Sequence, residues 1–426
     1  MTKKLPLIVS AVSGLVLFSL VIGATGFWVA HRELWPYKII IEAKQIVLSF
    51  IQHGEVIPLD RRRIAPKDAS PAAATVHDAA ASMGSGHYAL LAWDNAHGSY
   101  VVFLYDASGA RAHTWPVDTS VLTDDADHTD YVPHAMELLP DGSVLVSFDG
   151  LKLVTRLNPC GDAIWSNPMS YHHSFSPASD GGVWTWQGDG TAFGQIQDIL
   201  KFDPLTGEDM LRISLTEDVI KKSPENAMVF SMFTDFPFTP GDQSPHDHFH
   251  PNDVEELMPE LAAAFPQFAA GDLMLSFRQL DMVLIMSQAG EIKWYRQGPW
   301  LKQHDPDFEP GGRIAIYNNG EVRPRSSILL IDPKSGVVTD ALPAFTAPFT
   351  NMFRGKHQLL PNGNRLITIP AQGQALEVAP DGRVVMEFNN IIPGKPGVHD
   401  DVANAKWVPD GFFETIPQCT STAEPD

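Results

Sequence analysis

HPNDVEEL (residues 250–257) is followed, after a turn-rich break, by GDLMLSFRQLDMVLIMSQAGEIKWYRQGPW (271–300), and then by HDPDFEPGGRIAIYNNG (304–320). The half-unit is a histidine, a few residues, a turn with glycine, and a β-rich run such as LMLSF or RIAIY. Runs this short, punctuated by turn residues, predict many antiparallel strands rather than helices. The same cycle recurs outward in both directions. Units open at Tyr88 (YALLAWDNAHGSYVVFLYDASGARAHTW), His134 (HAMELLPDGSVLVSFDG), His173 (HSFSPASDGGVWTWQGDG), His250, His304 and His357 (HQLLPNGNRLITIPAQGQALEV). Asp-Gly and Asn-Gly pairs between apolar runs are hairpin turns. About four strands per unit at this spacing predict propeller blades. The expectation is an all-β, six-bladed propeller of four-stranded antiparallel blades, with a seventh blade open if the piece from Thr216 to His248 conceals one. VHDDVANAKWVPDGFF (398–413) is read as a closing strand.

Thirty basic against fifty-one acidic residues leave a formal charge of −21. Phosphate binding needs a basic face, so a nucleic-acid partner is excluded. Cys160 and Cys419 are the two cysteines, and spacing leaves open whether they pair. Leu5 to Ala30 holds no charged residue and is long enough to span a bilayer, with Lys3 and Lys4 ahead of it. The expectation is a single-pass membrane protein: an N-terminal transmembrane helix (1–31), an amphipathic helix over Tyr37 to Ile51 with a linker (32–84), the propeller (85–416) on the periplasmic or extracellular side, and a polar tail (417–426). A cleaved signal peptide is the alternative.

His134, His173, His250, His304 and His357 each stand just ahead of a strong β run. Equivalent positions of propeller blades converge on the axis, so the pattern predicts a ring of imidazoles. Such a ring serves nucleophilic catalysis, anion binding or metal binding; the bland alternative is a histidine that caps a turn. Arg278 alternates with Leu275 and Phe277 along LMLSFR and is read as facing the channel, or as an inter-blade ion pair. His246, Asp247, His248 and His250 are metal-type ligands, but they sit in a turn-rich lead-in and no metal or cofactor is assigned. Trp184, Trp186, Trp294 and Trp300 are read mainly as blade core.

HFHPNDVEEL, GDLMLSFRQLDMVLIM, QHDPDFEPGGRIAIYNNG and KHQLLPNGNRLI together resemble the arylsulfotransferase family, over about Tyr88 to Phe413. The resemblance implies an exported or membrane-anchored six-bladed propeller that moves a sulfuryl group from an aryl sulfate to a phenol. It implies no nucleotide sulfate donor, a histidine nucleophile and a sulfo-histidine intermediate. By that resemblance His304, in its Gln-His turn, is the nucleophile. His250 and Asn252 form the His-x-Asn pair, and Arg278 is the arginine that follows it. His173, or its neighbour His172, is the earlier histidine, Thr368 a late hydroxyl, and His357 a blade-opening histidine placed with the substrate-binding set. The family's arginine ahead of ILLID is here Ser327, with Arg325 two residues earlier. Two rival readings remain: a metalloenzyme built on the histidine ring, and a non-catalytic binding or scaffold module.

Overall fold

Six antiparallel sheets, five of four strands and one whose four-stranded blade carries a fifth strand at its outer edge, make up the body of the chain, each running from an innermost to an outermost strand. The computed structural model describes residues 21–22, 25–26, 62–122, 133–148, 153–188, 197–231, 249–320, 325–347, 349–351 and 353–419. Five blades open in chain order with the innermost strands Pro133–Leu138, Tyr171–Pro177, Pro251–Glu256, His304–Glu309 and Lys356–Leu359. The remaining blade is assembled from both ends of the propeller. Val402–Val408 is its innermost strand and pairs with His87–Asp94, which begins the meander. The closing-strand expectation therefore holds, and the blade count is six. The piece from Thr216 adds no strand among its described residues: a π-turn (Leu215–Val219), a 3₁₀ turn and the helix Pro224–Ser231 occupy it.

The turns that punctuate the sequence make the hairpins. In LPDGS the Gly142 backbone is left-handed (φ 85°), and Asp141 accepts the Ser143 N–H at 3.0 Å. A side chain is strained in that conformation, which is why glycine follows aspartate there. Blades pack through alternating faces: Trp184 and Trp186 of one blade lie against Val254, Leu275 and Phe277 of the next. Both indole N–H groups are satisfied across that interface, Trp186 on the Asp253 carbonyl at 2.9 Å and Trp184 on Glu256 at 2.7 Å. These tryptophans and the buried Trp300 are inter-blade core.

Part of the stretch read as linker is strand. Ala74–Val76 adds a fifth strand to the outer edge of the last blade, and Arg62–Ile64 pairs with Val398–Asp400. The cysteines form a disulfide, so the start of the polar tail is tied down. The anchor and the amphipathic helix lie outside the described residues, apart from four helical positions between 21 and 26. Among the described residues no helix is long and apolar enough to cross a membrane.

Candidate functional site

The innermost strands deliver the site through irregularities rather than through regular strand. Five of the six slip register by a bulge: at Pro133/Ala135, His172/Ser176, Pro251/Asp253, His304/Asp307 and Val402/Asn404. A bulge adds residues to one strand and re-aims their side chains. The backbone conformations are correspondingly unusual. His173 (φ 69°), His250 (φ 46°), Asp305 (φ 51°) and Arg354 (φ 62°) are left-handed without being glycine. Such residues persist only where their surroundings over-determine them, and they gather at functional sites.

The bulges bring four of the blade-opening histidines together. His173 Nε2 lies 3.2 Å from His250 Nε2, and the His134 and His173 rings are 4.9 Å apart. His172 Nδ1 is 2.7 Å from His173 Nδ1 and its Nε2 is 2.8 Å from Gln197 Oε1, so His172 backs the ring while His173 faces His250. His304 is 6% exposed. Its Nδ1–H donates to Asn319 Oδ1 at 2.8 Å, and its Nε2 accepts the Arg354 backbone N–H at 3.2 Å. This fixes the tautomer and leaves the lone pair on Nε2. Burial, then Arg278 and His250, hold His304 well below the usual imidazole range. Burial and neighbouring histidines do the same for His173, and burial followed by Arg354, His304 and His250 for His134. His304, His173 and His134 are therefore neutral at pH 7, and neutral imidazole is the nucleophilic form.

Arg278 is 1% exposed, but strand alternation does not place it. The strand ends at Phe277, and Arg278 opens a 3₁₀ turn whose N–H bonds to the His250 carbonyl at 3.0 Å. This contact ties it to the His-x-Asn segment. Its guanidinium lies 5.4 Å from the Phe353 ring. Asn252 occupies the bulge after His250 and donates to the Gln303 carbonyl at 2.7 Å, anchoring the turn that carries His304.

Two sequence candidates sit apart from this cluster. His357 is the second residue of its innermost strand, and its Nδ1 faces Asp307 Oδ2 at 3.1 Å. Asp307, Asp305 and His357 bring ligand-type atoms within 4.8 Å of one another, but the Lys356 ammonium already lies 2.6 Å from Asp305 Oδ1 and 3.2 Å from Asp253 Oδ1. That group is a salt-bridged array in which burial and Asp305 push Asp307 up to about 6. Thr368 pairs with Lys356 across the blade and is fully buried. Arg325 is exposed and bonds to the Phe345 carbonyl, while Ser327 receives the Asn318 amide at 3.1 Å. His246, Asp247 and His248 lie outside the described residues.

Sequence reasoning passed over Asn319, Arg354 and Asp401. The residue of the last blade that reaches His304 is Arg354, three positions before the histidine that marks the repeat. Its guanidinium bonds in two-point fashion to Asp401, which precedes the closing strand. The left-handed Arg-Gly pair ahead of KHQLL is the one sequence feature that signals it.

The pH dependence follows from these shifts. A nucleophile whose pKa is depressed stays deprotonated as pH falls through the ordinary imidazole value of about 6.5. For a reaction that uses His304 as base or nucleophile, kcat/KM for the donor is expected to stay flat from neutral pH to below 6.5 and fall only at lower pH. A profile that bends at 6.5 to 7 contradicts the buried, neutral His304.

Fold and site together define a six-bladed β-propeller whose innermost strands gather a buried cluster of imidazoles with the Arg278 guanidinium beside it. The chain belongs to the arylsulfotransferase (ASST) family, whose model matches residues 135–391. No curated protein matches it. Among solved structures it is similar to a protein of unknown function from Bacteroides caccae, at 11% identity over 75% of this chain and 98% of that one, with a TM-score of 0.48. TolB from Acinetobacter baumannii is similar at 13% identity over 76% of this chain and 68% of that one, with a TM-score of 0.44.

Proposed function

We propose that this chain transfers a sulfuryl group from an aryl sulfate to a phenol through a sulfo-histidine at His304, with no nucleotide donor and no cofactor. The observation that carries the reading is the state of His304: Nδ1–H held by Asn319, Nε2 bearing the lone pair, and Arg278 close enough to depress the imidazole. Family membership supports the same chemistry and substrate class. In the first step Nε2 releases the Arg354 N–H and its lone pair forms a bond to sulfur while the bond from sulfur to the aryl oxygen breaks, and the phenolate leaves with that electron pair. In the second, an acceptor phenol gives its proton to the phenolate released in the first step, its oxygen forms a bond to sulfur, and the bond from sulfur to Nε2 breaks with its electron pair returning to the neutral imidazole. Arg278, His250, His173 and Asn252 surround the non-bridging oxygens, where fixed donors and positive charge stabilise a transferring anion most. The anchor at residues 5–30 would hold the propeller on the periplasmic or extracellular side. A disulfide between Cys160 and Cys419 suits an oxidising compartment.

The test is to trap the intermediate. The protein is mixed with a chromogenic aryl sulfate without acceptor, quenched in alkali and digested. The peptide containing His304 is expected to gain the mass of one sulfuryl group in step with a burst of phenol. A burst with the label on His250 relocates the nucleophile; phenol release with no labelled histidine defeats the covalent mechanism.

A further inference from the structure

His304 sits in a closed loop of hydrogen bonds. Its Nδ1–H goes to Asn319 Oδ1, Asn319 Nδ2 goes to the Arg354 carbonyl at 2.9 Å, and the Arg354 N–H returns to His304 Nε2 at 3.2 Å. One peptide residue thus touches both ends of the unit that orients the imidazole. Arg354 holds this place in a left-handed conformation that a non-glycine residue does not favour. Asn351 Nδ2 adds a second bond to its carbonyl at 2.9 Å.

What fixes the side-chain end of Arg354 comes from outside the matched stretch 135–391. Asp401 is fully buried and accepts Arg354 through both oxygens, at 2.8 Å each. Its Oδ1 also accepts Arg63 at 2.9 Å, and its Oδ2 the Tyr100 hydroxyl at 3.2 Å. Arg63 further bonds the Pro370 carbonyl at 3.1 Å. A bidentate grip of this kind sets angle as well as distance. The guanidinium of Arg354 is therefore committed to Asp401, and its main-chain N–H is the group it presents to His304.

Resting on the reading of His304 as the nucleophile, we propose that Asp401 is a positioning residue for sulfuryl transfer. Its grip on Arg354, braced by Arg63, holds the left-handed backbone so that the Arg354 N–H stays beside His304 Nε2. In the resting state the N–H occupies the Nε2 lone pair and fixes the ring; when Nε2 bonds to sulfur that hydrogen bond breaks and the freed N–H passes to an adjacent non-bridging oxygen. The closing blade, outside the family match, thereby acts on the reaction without touching substrate.

Four variants of the full chain test this: Asp401→Asn, Arg354→Gly, the two combined, and His304→Ala as reference. Glycine suits the left-handed backbone and keeps the N–H, so Arg354→Gly removes the grip without adding strain. The readouts are kcat, donor KM and melting temperature. Each single variant is expected to lower kcat about ten- to a hundredfold with donor KM changed less than about threefold, as misalignment of a reacting group does. The double variant is expected to be no slower than the worse single one, because residues acting as one unit are not additive. A purely structural role would lower the melting temperature and leave kcat alone, and that result overturns the proposal. Wild-type kcat in Arg354→Gly also overturns it, even where Asp401→Asn fails to fold. Persisting turnover in His304→Ala would instead remove the nucleophile reading itself, and the proposal with it.

Discussion

Replacing His304 with alanine is expected to cut phenol release from an aryl sulfate by about 10⁴-fold or more, the scale seen when a nucleophile is deleted from a built site. The loss belongs to chemistry rather than folding. The substitution leaves Asn319 Oδ1 and the Arg354 N–H without their imidazole partner, at about 1–3 kcal/mol for each buried group left unsatisfied. That is large against a typical domain stability of about 5–15 kcal/mol, yet small enough for the propeller to stay folded. On the proposed mechanism His250 borders the transferring oxygens instead, and His250→Ala is expected to cost about 10²–10³-fold in kcat. The order of the two effects is the discriminating result, read from initial rates beside a melting curve for each variant. If His304→Ala loses less than about tenfold while His250→Ala loses more, the nucleophile is His250.

The blades were legible because each carries its own local evidence. LPDG, LPNG and APDG turns demand hairpins wherever they occur, and in five of the six blades all four inner strands are consecutive in the chain. The histidine series was legible for the same reason, since four of its members do meet. His357 shows the limit of that logic. It opens a repeat in sequence, but it is the second residue of a regular strand, while His134 and His173 lie at bulges and His250 precedes its strand. Strand parity alone sends its ring toward Asp307. Arg278 illustrates the converse: alternation assigned a face to a residue that has already left the strand. Arg354 and Asp401 were hidden because their meaning lies in a contact between the last blade and the closing strand, 47 residues apart. No local pattern encodes such a contact. The cysteine pair was beyond reach for the same reason, at a separation of 259 residues.

Removing that disulfide with Cys160→Ser and Cys419→Ser is expected to destabilise the propeller by about 2–5 kcal/mol; the chain-entropy model puts so long a loop near the top of that range. The argument is topological. A propeller closes only when Val402–Val408 pairs with His87–Asp94, and every other blade is complete without a strand from elsewhere in the chain. Withdrawal of the closing strand is thus the cheapest way to open the ring. Opposing it are the ladder of that pairing, the Lys406–Glu137 ion pair, the Glu414 N–H on the Pro140 carbonyl, and the bond from Cys419 to Cys160 in the outer hairpin of the next blade. Denaturant midpoints measured with and without reductant decide the matter. Reductant should lower the wild-type midpoint to that of the double variant and leave the variant unchanged; an unmoved wild-type midpoint would mean the tether adds nothing to closure. Because Asp401 immediately precedes the closing strand, a looser closure should also loosen its grip on Arg354. Reduction is then expected to lower kcat at temperatures well below unfolding, whereas a tether that mattered only to global stability would leave kcat unchanged there.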